Sequence, residues 1–321
     1  MNRNIPIERL GANAPRAGVR STAAVLPVYV AAIAAAEALG AYGAVLHGMV
    51  YDAILVALLL THYVLMDPEP YRRVLPMLAL IPLLRILSVT MPITFVPRIY
   101  WYALIGAPLL LATVLAARLL DLGPARLGLE MRSWPAQLLI GCTGLPLSFA
   151  AFLILRPEPL LGAGRHGWLT GTIAAAILIV FSGFAEELLF RGLLLRGFGE
   201  LFGRAGLVWS SLLFAIAYLG SPPIGYLLFA GAVGLFFGWC VQRSGSIWGV
   251  VMAHSLISIG ALLILPMLRT WFGAPLIDRI GALLLLALWL AFALAIGFAA
   301  IAGAQWLARL LRRAAGGPAR R

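Results

Sequence analysis

Lysine is absent from this chain, and all 24 of its basic residues are arginines. That absence, beside abundant Ala, Gly, Leu and Arg, is the compositional mark of a GC-rich bacterial genome. Cysteine is scarce too. Cys142 and Cys240 fall in separate apolar runs without a C-x-x-C partner, which argues against a disulfide framework and against a cysteine-held metal. Charge of either sign is thin: 11% of residues are charged against 62% hydrophobic, and the mean hydropathy is +0.98. That balance excludes a soluble globular domain and leaves a polytopic helical membrane protein. A cleavable signal peptide is not expected, because the first twenty residues carry Arg3, Arg9, Arg16 and Arg20 with no apolar core.

What is present is a series of long apolar runs bounded by Pro, Gly and Arg. They predict an all-α, polytopic transmembrane bundle of about 8–10 spans, by the ~20-residue criterion for crossing a bilayer. A polar tail over 1–21 precedes N-terminal transmembrane helices over 22–119. An interfacial connector covers 120–135, where charges mix with Leu, Met and Trp. A helical core follows over 136–268, then a last transmembrane helix with an Arg-rich tail over 280–321. The sixth span is expected at Trp168–Arg196, the seventh at Gly206–Gly220, the eighth at Pro223–Gln242, the ninth at Ile247–Leu268 and the last at Ile280–Leu311.

Placing the N-terminus in the cytoplasm puts about 17 arginines on the inner side and about five outside, with Arg85 and Arg191 inside spans. The positive-inside rule therefore puts both termini in the cytoplasm, and the composition places the chain in a bacterial inner membrane. The net charge of +12 is spread over short loops and both termini. It fits membrane lipid as a partner and gives no reason to expect nucleic acid.

The sixth span contains Phe184-Ala-Glu-Glu-Leu-Leu-Phe-Arg191. Each charge near a bilayer centre costs roughly 2.5–3.5 kcal/mol on insertion scales, so three within a turn and a half need a purpose. Glu187 and Arg191 are four apart and share a helix face, which suits an intrahelical ion pair. Glu186 points about 100° away and is left free to face a cavity and take a proton from water. The alternative is a purely structural polar network. On the ninth span His254 and Ser258 also share a face, and an imidazole with a hydroxyl can donate to a developing oxyanion. A histidine that simply bonds a neighbouring helix is the competing reading. At ~1.5 Å per residue, Glu186, His254 and Tyr218 lie roughly 15, 11 and 18 Å from the cytoplasmic ends of their helices. One shared site opening inward is therefore expected. His47, His62 and His166 are not well placed to join it, and no H-E-x-x-H or second histidine at ligand spacing supports zinc.

The order Glu186-Glu187-x-x-x-Arg191, Phe214-x-x-x-Tyr218, His254-x-x-x-Ser258 resembles the EExxxR, FxxxH and HxxxN/D motifs of the CPBP family of intramembrane glutamic endopeptidases, which includes CAAX-prenyl proteases and bacteriocin-processing relatives. The resemblance covers about Ala136 to Leu268. It implies that Glu186 is the base activating water, Glu187 and Arg191 a supporting pair and His254 an oxyanion donor, with no cofactor or metal. Tyr218 stands where the family has a histidine, and a phenol with pKa ≈ 10 orients water but accepts protons poorly at neutral pH. Ser258 replaces Asn or Asp and can still donate. The resemblance therefore implies a membrane-embedded endopeptidase hydrolysing a membrane-associated protein or peptide. A non-catalytic relative acting as a membrane adaptor or chaperone is the second reading. Glu37, Asp52 and Arg85 are the ionisable residues within the N-terminal spans; a transporter is the third reading, motivated by Asp52 and Arg85, which fall at similar depth and are expected to form a structural ion pair.

Overall fold

A computed structural model of the chain describes residues 25–66, 70–90, 96–162, 167–220, 223–284 and 286–287. The segment 1–21 and most of the expected last span Ile280–Leu311 lie outside the described residues. Among those described, regular structure is helical throughout. Helix α1 covers Val25–Ala41, α2 Val45–Leu65, α3 Val74–Thr90 and α4 Arg98–Leu119. Helix α5 covers Trp134–Leu155 with a break at Thr143, where Trp134–Cys142 hands over to Gly144–Leu155.

The longest helix, α6, runs from Trp168 through Phe202, then α7 covers Gly206–Ala217, α8 Ile224–Ser244 and α9 Trp248–Phe272. Residues 274–284 continue as helix. Seven helical stretches among the described residues are long and apolar enough to cross a membrane, α6 and α7 counting together, and α1 is apolar but shorter. The chain is thus a polytopic helical bundle, as the apolar runs predict. Large apolar side chains such as Leu58, Leu111, Leu139 and Leu228 face outward, a surface that suits lipid and not water.

The expected ends of α6 need one change. The sequence places its end near Arg196, but the helix continues to Phe202 because Leu195, Gly197 and Phe198 are buried against the bundle. At ~1.5 Å per residue α6 is about 50 Å long, well beyond a ~30 Å hydrocarbon core. A short turn at Gly203–Ala205, with Gly203 at φ 57°, then folds α7 back against it.

Helix α9 is held close between α5 and α6. A Cβ at Gly144 would lie 2.8 Å from the Ala253 Cα, and one at Gly183 would strike the Ser255 side chain. These close approaches bracket His254 and fix how deep it sits. The start of α9 is anchored as well. Gln137 Oε1 accepts from the Gly249 N–H at 2.6 Å, Trp248 Nε1 donates to the Leu129 carbonyl at 2.7 Å, and the Ile247 N–H donates to the Gly128 carbonyl at 2.9 Å. The first bond satisfies a helix-start donor that has no partner within its own helix.

The N-terminal charges pair differently from the expectation. Arg85 on α3 donates Nε to Glu37 Oε2 on α1 at 2.6 Å and pairs with the same carboxylate through Nη2. Asp52 on α2 is fully buried, and among the described residues neither of its oxygens has a hydrogen-bond partner. The expected Asp52–Arg85 pair is therefore not formed, because similar depth does not tell which neighbouring helix turns its acid toward α3. His62 is held by Tyr29 and Tyr71, whose hydroxyls lie 2.9 and 3.0 Å from its ring nitrogens.

Replacing Arg85 by Met should destabilise the protein by about 3 kcal/mol, because Glu37 is then buried without a counter-charge. Asp52→Asn should be neutral or stabilising. Thermal unfolding in detergent checks this order, and a larger loss for Asp52→Asn would contradict the pairing.

Candidate active site

The residues around the Glu-Glu pair do not follow a uniform α-helix. Leu178–Phe184 and Leu188–Leu194 are π-helical, and the single α turn between them is Ala185–Glu187. A π turn widens the helix and rotates the following side chains, a feature frequent at functional sites. The flanking apolar side chains Leu189, Phe190, Leu193 and Leu194 are fully buried, so α6 is surrounded by protein here and its charges are shielded from lipid. Ser210 on α7 donates to the Phe190 carbonyl at 3.0 Å and ties α7 to the second π segment.

Glu187 is completely buried, and its Oε1 receives two bonds. Arg191 Nη1 donates at 2.9 Å, and His254 Nδ1 lies 2.7 Å away on α9. An ionised carboxylate only accepts, so Nδ1 carries the hydrogen and His254 Nε2 is directed elsewhere. The Arg191 guanidinium lies over the Phe214 ring of α7, 4.2 Å from its centroid, with the Phe237 ring of α8 at 5.5 Å. Phe214 and Phe237 also flank the His254 ring, at centroid distances of 6.0 and 6.4 Å. Aromatic faces thus replace part of the hydration that a buried arginine loses. This gives Phe214 a physical role: it is the platform under the arginine.

Glu186 has a separate set of neighbours. Its Oε2 accepts from the Tyr218 hydroxyl at 2.7 Å, and His254 Nε2 stands 4.0 Å from the same oxygen. Its side chain keeps 18% of its exposure while Glu187 keeps none, so of the two carboxylates only Glu186 has surface that a water could touch. Tyr218 terminates α7 as its C-cap residue, placed by the FxxxY spacing one turn beyond Phe214.

The structure therefore brings Glu186, Glu187, Arg191, Tyr218 and His254 into one cluster. Ser258 is engaged elsewhere: its Oγ lies 2.8 Å from Ser182 Oγ on α6. Ser182 is a residue that the sequence reading missed. It lies four before Glu186, a polar interruption of an apolar run that could have marked it. Phe237 was missed for a different reason. Aromatic residues in helices that are apolar all round carry no sign of which way they face. Among the described residues, no three His, Cys, Asp or Glu side chains are grouped as a metal site would need.

The fold and the cluster together define an integral membrane protein with an ionisable site between its helices. Residues 168–260, less than a third of the chain, match the family model described as type II CAAX prenyl endopeptidase Rce1-like, consistent with the CPBP family that the motifs resemble. No curated protein and no solved structure matches the chain.

Phe214→Leu removes the ring beneath Arg191 and its edge contact with Phe190, at 4.9 Å between centroids. A desolvated cation–π contact is worth about 2 kcal/mol. The substitution should lower the unfolding temperature in detergent clearly more than Phe229→Leu, which affects a stacked contact with Tyr226 and packing at the edge of the core but no buried cation. Equal losses would show that Phe214 serves only as packing.

Proposed function

We propose that the chain is a membrane-embedded glutamic endopeptidase that hydrolyses a peptide bond of a membrane-associated protein or peptide. The observation that carries this reading is the division between the two carboxylates. Glu187 is buried with its Oε1 held by Arg191 and His254, while Glu186 is the partly exposed one with a phenol donor and an imidazole on either side. The match over residues 168–260 supports the same chemistry.

In this reading Glu186 takes a proton from water as the water oxygen bonds to the scissile carbonyl carbon. His254 donates from Nε2 to the oxyanion that forms, which requires the imidazolium. With both glutamates ionised, Arg191 and a cationic His254 make the cluster neutral, which lowers the cost of keeping it in a membrane. The carbon–nitrogen bond then breaks, and the proton held on Glu186 passes to the departing amine. Tyr218 orients the water by hydrogen bonding. The layout around this chemistry is part of the proposal: a protease core over 136–268, the inner membrane of a bacterium, and both termini in the cytoplasm.

The test uses the purified full chain in liposomes with an internally quenched, farnesylated peptide that ends in a C-A-A-X sequence. Glu186→Gln should lower kcat by at least about 10²-fold, the usual contribution of a positioned base, while the protein inserts and unfolds like the parent. Unchanged hydrolysis would reject the endopeptidase reading. Tyr218→His should raise kcat, because an imidazole accepts a proton where a phenol does not.

Tyr218 also favours a second reading, a non-catalytic membrane adaptor. If the parent does not cleave the peptide and Tyr218→His gains nothing, the adaptor reading replaces the first.

A further inference from the structure

A buried ion pair in a membrane protein is a poor source of stability, because the cost of drying both charges offsets most of their attraction. The pair of Arg85 on α3 with Glu37 on α1 therefore needs another reason, and the far side of the arginine supplies one. Glu37 holds the guanidinium through Nε and Nη2. On the other side, a Cβ at Gly220 would lie 3.2 Å from Nη1 and 3.3 Å from Nη2, so the guanidinium rests against the backbone of that glycine.

Gly220 is two residues beyond Tyr218, whose hydroxyl is bonded to Glu186. Between them the chain is tied back to α7. The Tyr218 N–H donates to the Ala215 carbonyl at 2.9 Å, and the Leu219 N–H donates to the Ile216 carbonyl at 2.9 Å. The Tyr218 ring is set edge-on to Phe214 and to Tyr226, at centroid distances of 5.2 and 5.5 Å. Hemmed in this way, the ring follows its backbone, and a tilt of the turn is enlarged at the hydroxyl. Both α1 and α3 also pack against α7, so the ion pair is carried by helices that touch the element it steadies.

We propose that Arg85, braced by Glu37, is a positioning residue: it fixes the turn that ends α7 and so places the Tyr218 hydroxyl on Glu186. A guanidinium suits this task, since its rigid fork can be held by a carboxylate on one edge and still meet a neighbour with another nitrogen. Glycine at 220 leaves the room that the guanidinium takes up. No covalent bond is made or broken by Arg85. Helices α1 and α3 lie outside the matched residues 168–260, and through this contact they take part in the site.

The effect on turnover rests on the endopeptidase reading, and the experiment keeps the two apart. Arg85→Lys keeps a cation for Glu37 but loses the fork, and Gly220→Ala puts a methyl group beside the guanidinium. A misplacement of about 1 Å costs about 10²-fold in rate. At 220 the neighbours of a new Cβ must give by a few tenths of an ångström, so each variant should lower kcat by about 10-fold, with KM little changed. Neither should show the loss of stability expected for Arg85→Met. In a Tyr218→Phe background, on the same farnesylated peptide in liposomes, neither should cost anything more, because the hydroxyl they misplace is gone. A purely structural role would give the same loss in both backgrounds.

A second readout needs no turnover. With meta-fluorotyrosine incorporated in place of Tyr218, the fluorine resonance should shift in Arg85→Lys and in Gly220→Ala. It should not shift in Arg269→Lys, which loosens the Arg269–Asp278 pair instead. An unmoved resonance in the first two variants overturns the proposal. Where Glu186→Gln abolishes hydrolysis, an unchanged kcat overturns it too, as does a loss repeated in full in Tyr218→Phe. If the parent does not cleave the peptide, or Glu186→Gln leaves cleavage intact, the endopeptidase reading fails, and the resonance alone decides whether Arg85 places Tyr218.

Discussion

One carboxylate oxygen, Oε1 of Glu187, accepts from both Arg191 and His254, and the rest of the site depends on that shared acceptor. All three side chains are buried. Each alone would carry a large desolvation cost, and the cost is tolerable only because the charges are placed against one another. The interaction also ties helices together. Glu187 and Arg191 come from α6 and His254 from α9, while Phe214 of α7 and Phe237 of α8 enclose the guanidinium. Four helices thus meet around a single ion cluster.

With Glu187 committed in this way, its neighbour in sequence has a different environment. Glu186 sits one residue back, turned toward Tyr218 and the far nitrogen of His254, and retains some exposure. Two identical side chains, adjacent in the chain, are separated into a supporting and an accessible one by helix geometry alone. The π turns on both sides and the close approaches at Gly144 and Gly183 set the depth and rotation at which this happens. Because His254 spends Nδ1 on Glu187, it presents Nε2 to the Glu186 side, so the supporting pair also orients the imidazole.

Much of this was legible in the sequence for physical reasons that can be named. Apolar runs ending in Pro, Gly or Arg marked the helices, because charge and helix-breaking residues are costly inside the apolar layer. The four-residue spacing of Glu187 and Arg191 predicted their contact, and counting residues to the cytoplasmic side predicted that Glu186, Tyr218 and His254 meet. Depth, however, is only one coordinate. It pointed to Asp52 as the partner of Arg85, whereas Arg85 pairs with Glu37, because depth says nothing of how α1 and α2 are rotated about their axes. Nor did it show that Ser258 faces Ser182, or that Phe237 faces the site. In helices apolar on every side, no contrast between faces reveals the inward one. The continuation of α6 past Arg196 was hidden similarly, since a polar residue there reads as an end although Leu195 and Phe198 are buried on the other face.

The Glu187–Arg191 pair is the contact on which the site is built, and a double-mutant cycle on thermal unfolding in lipid nanodiscs tests it. Glu187→Gln and Arg191→Met should each be strongly destabilising, because each leaves a buried charge without its partner. The double variant should recover a large part of the loss, with a coupling of several kcal/mol. Additive losses, with no recovery in the double variant, would contradict the claim that these two charges are buried as a pair.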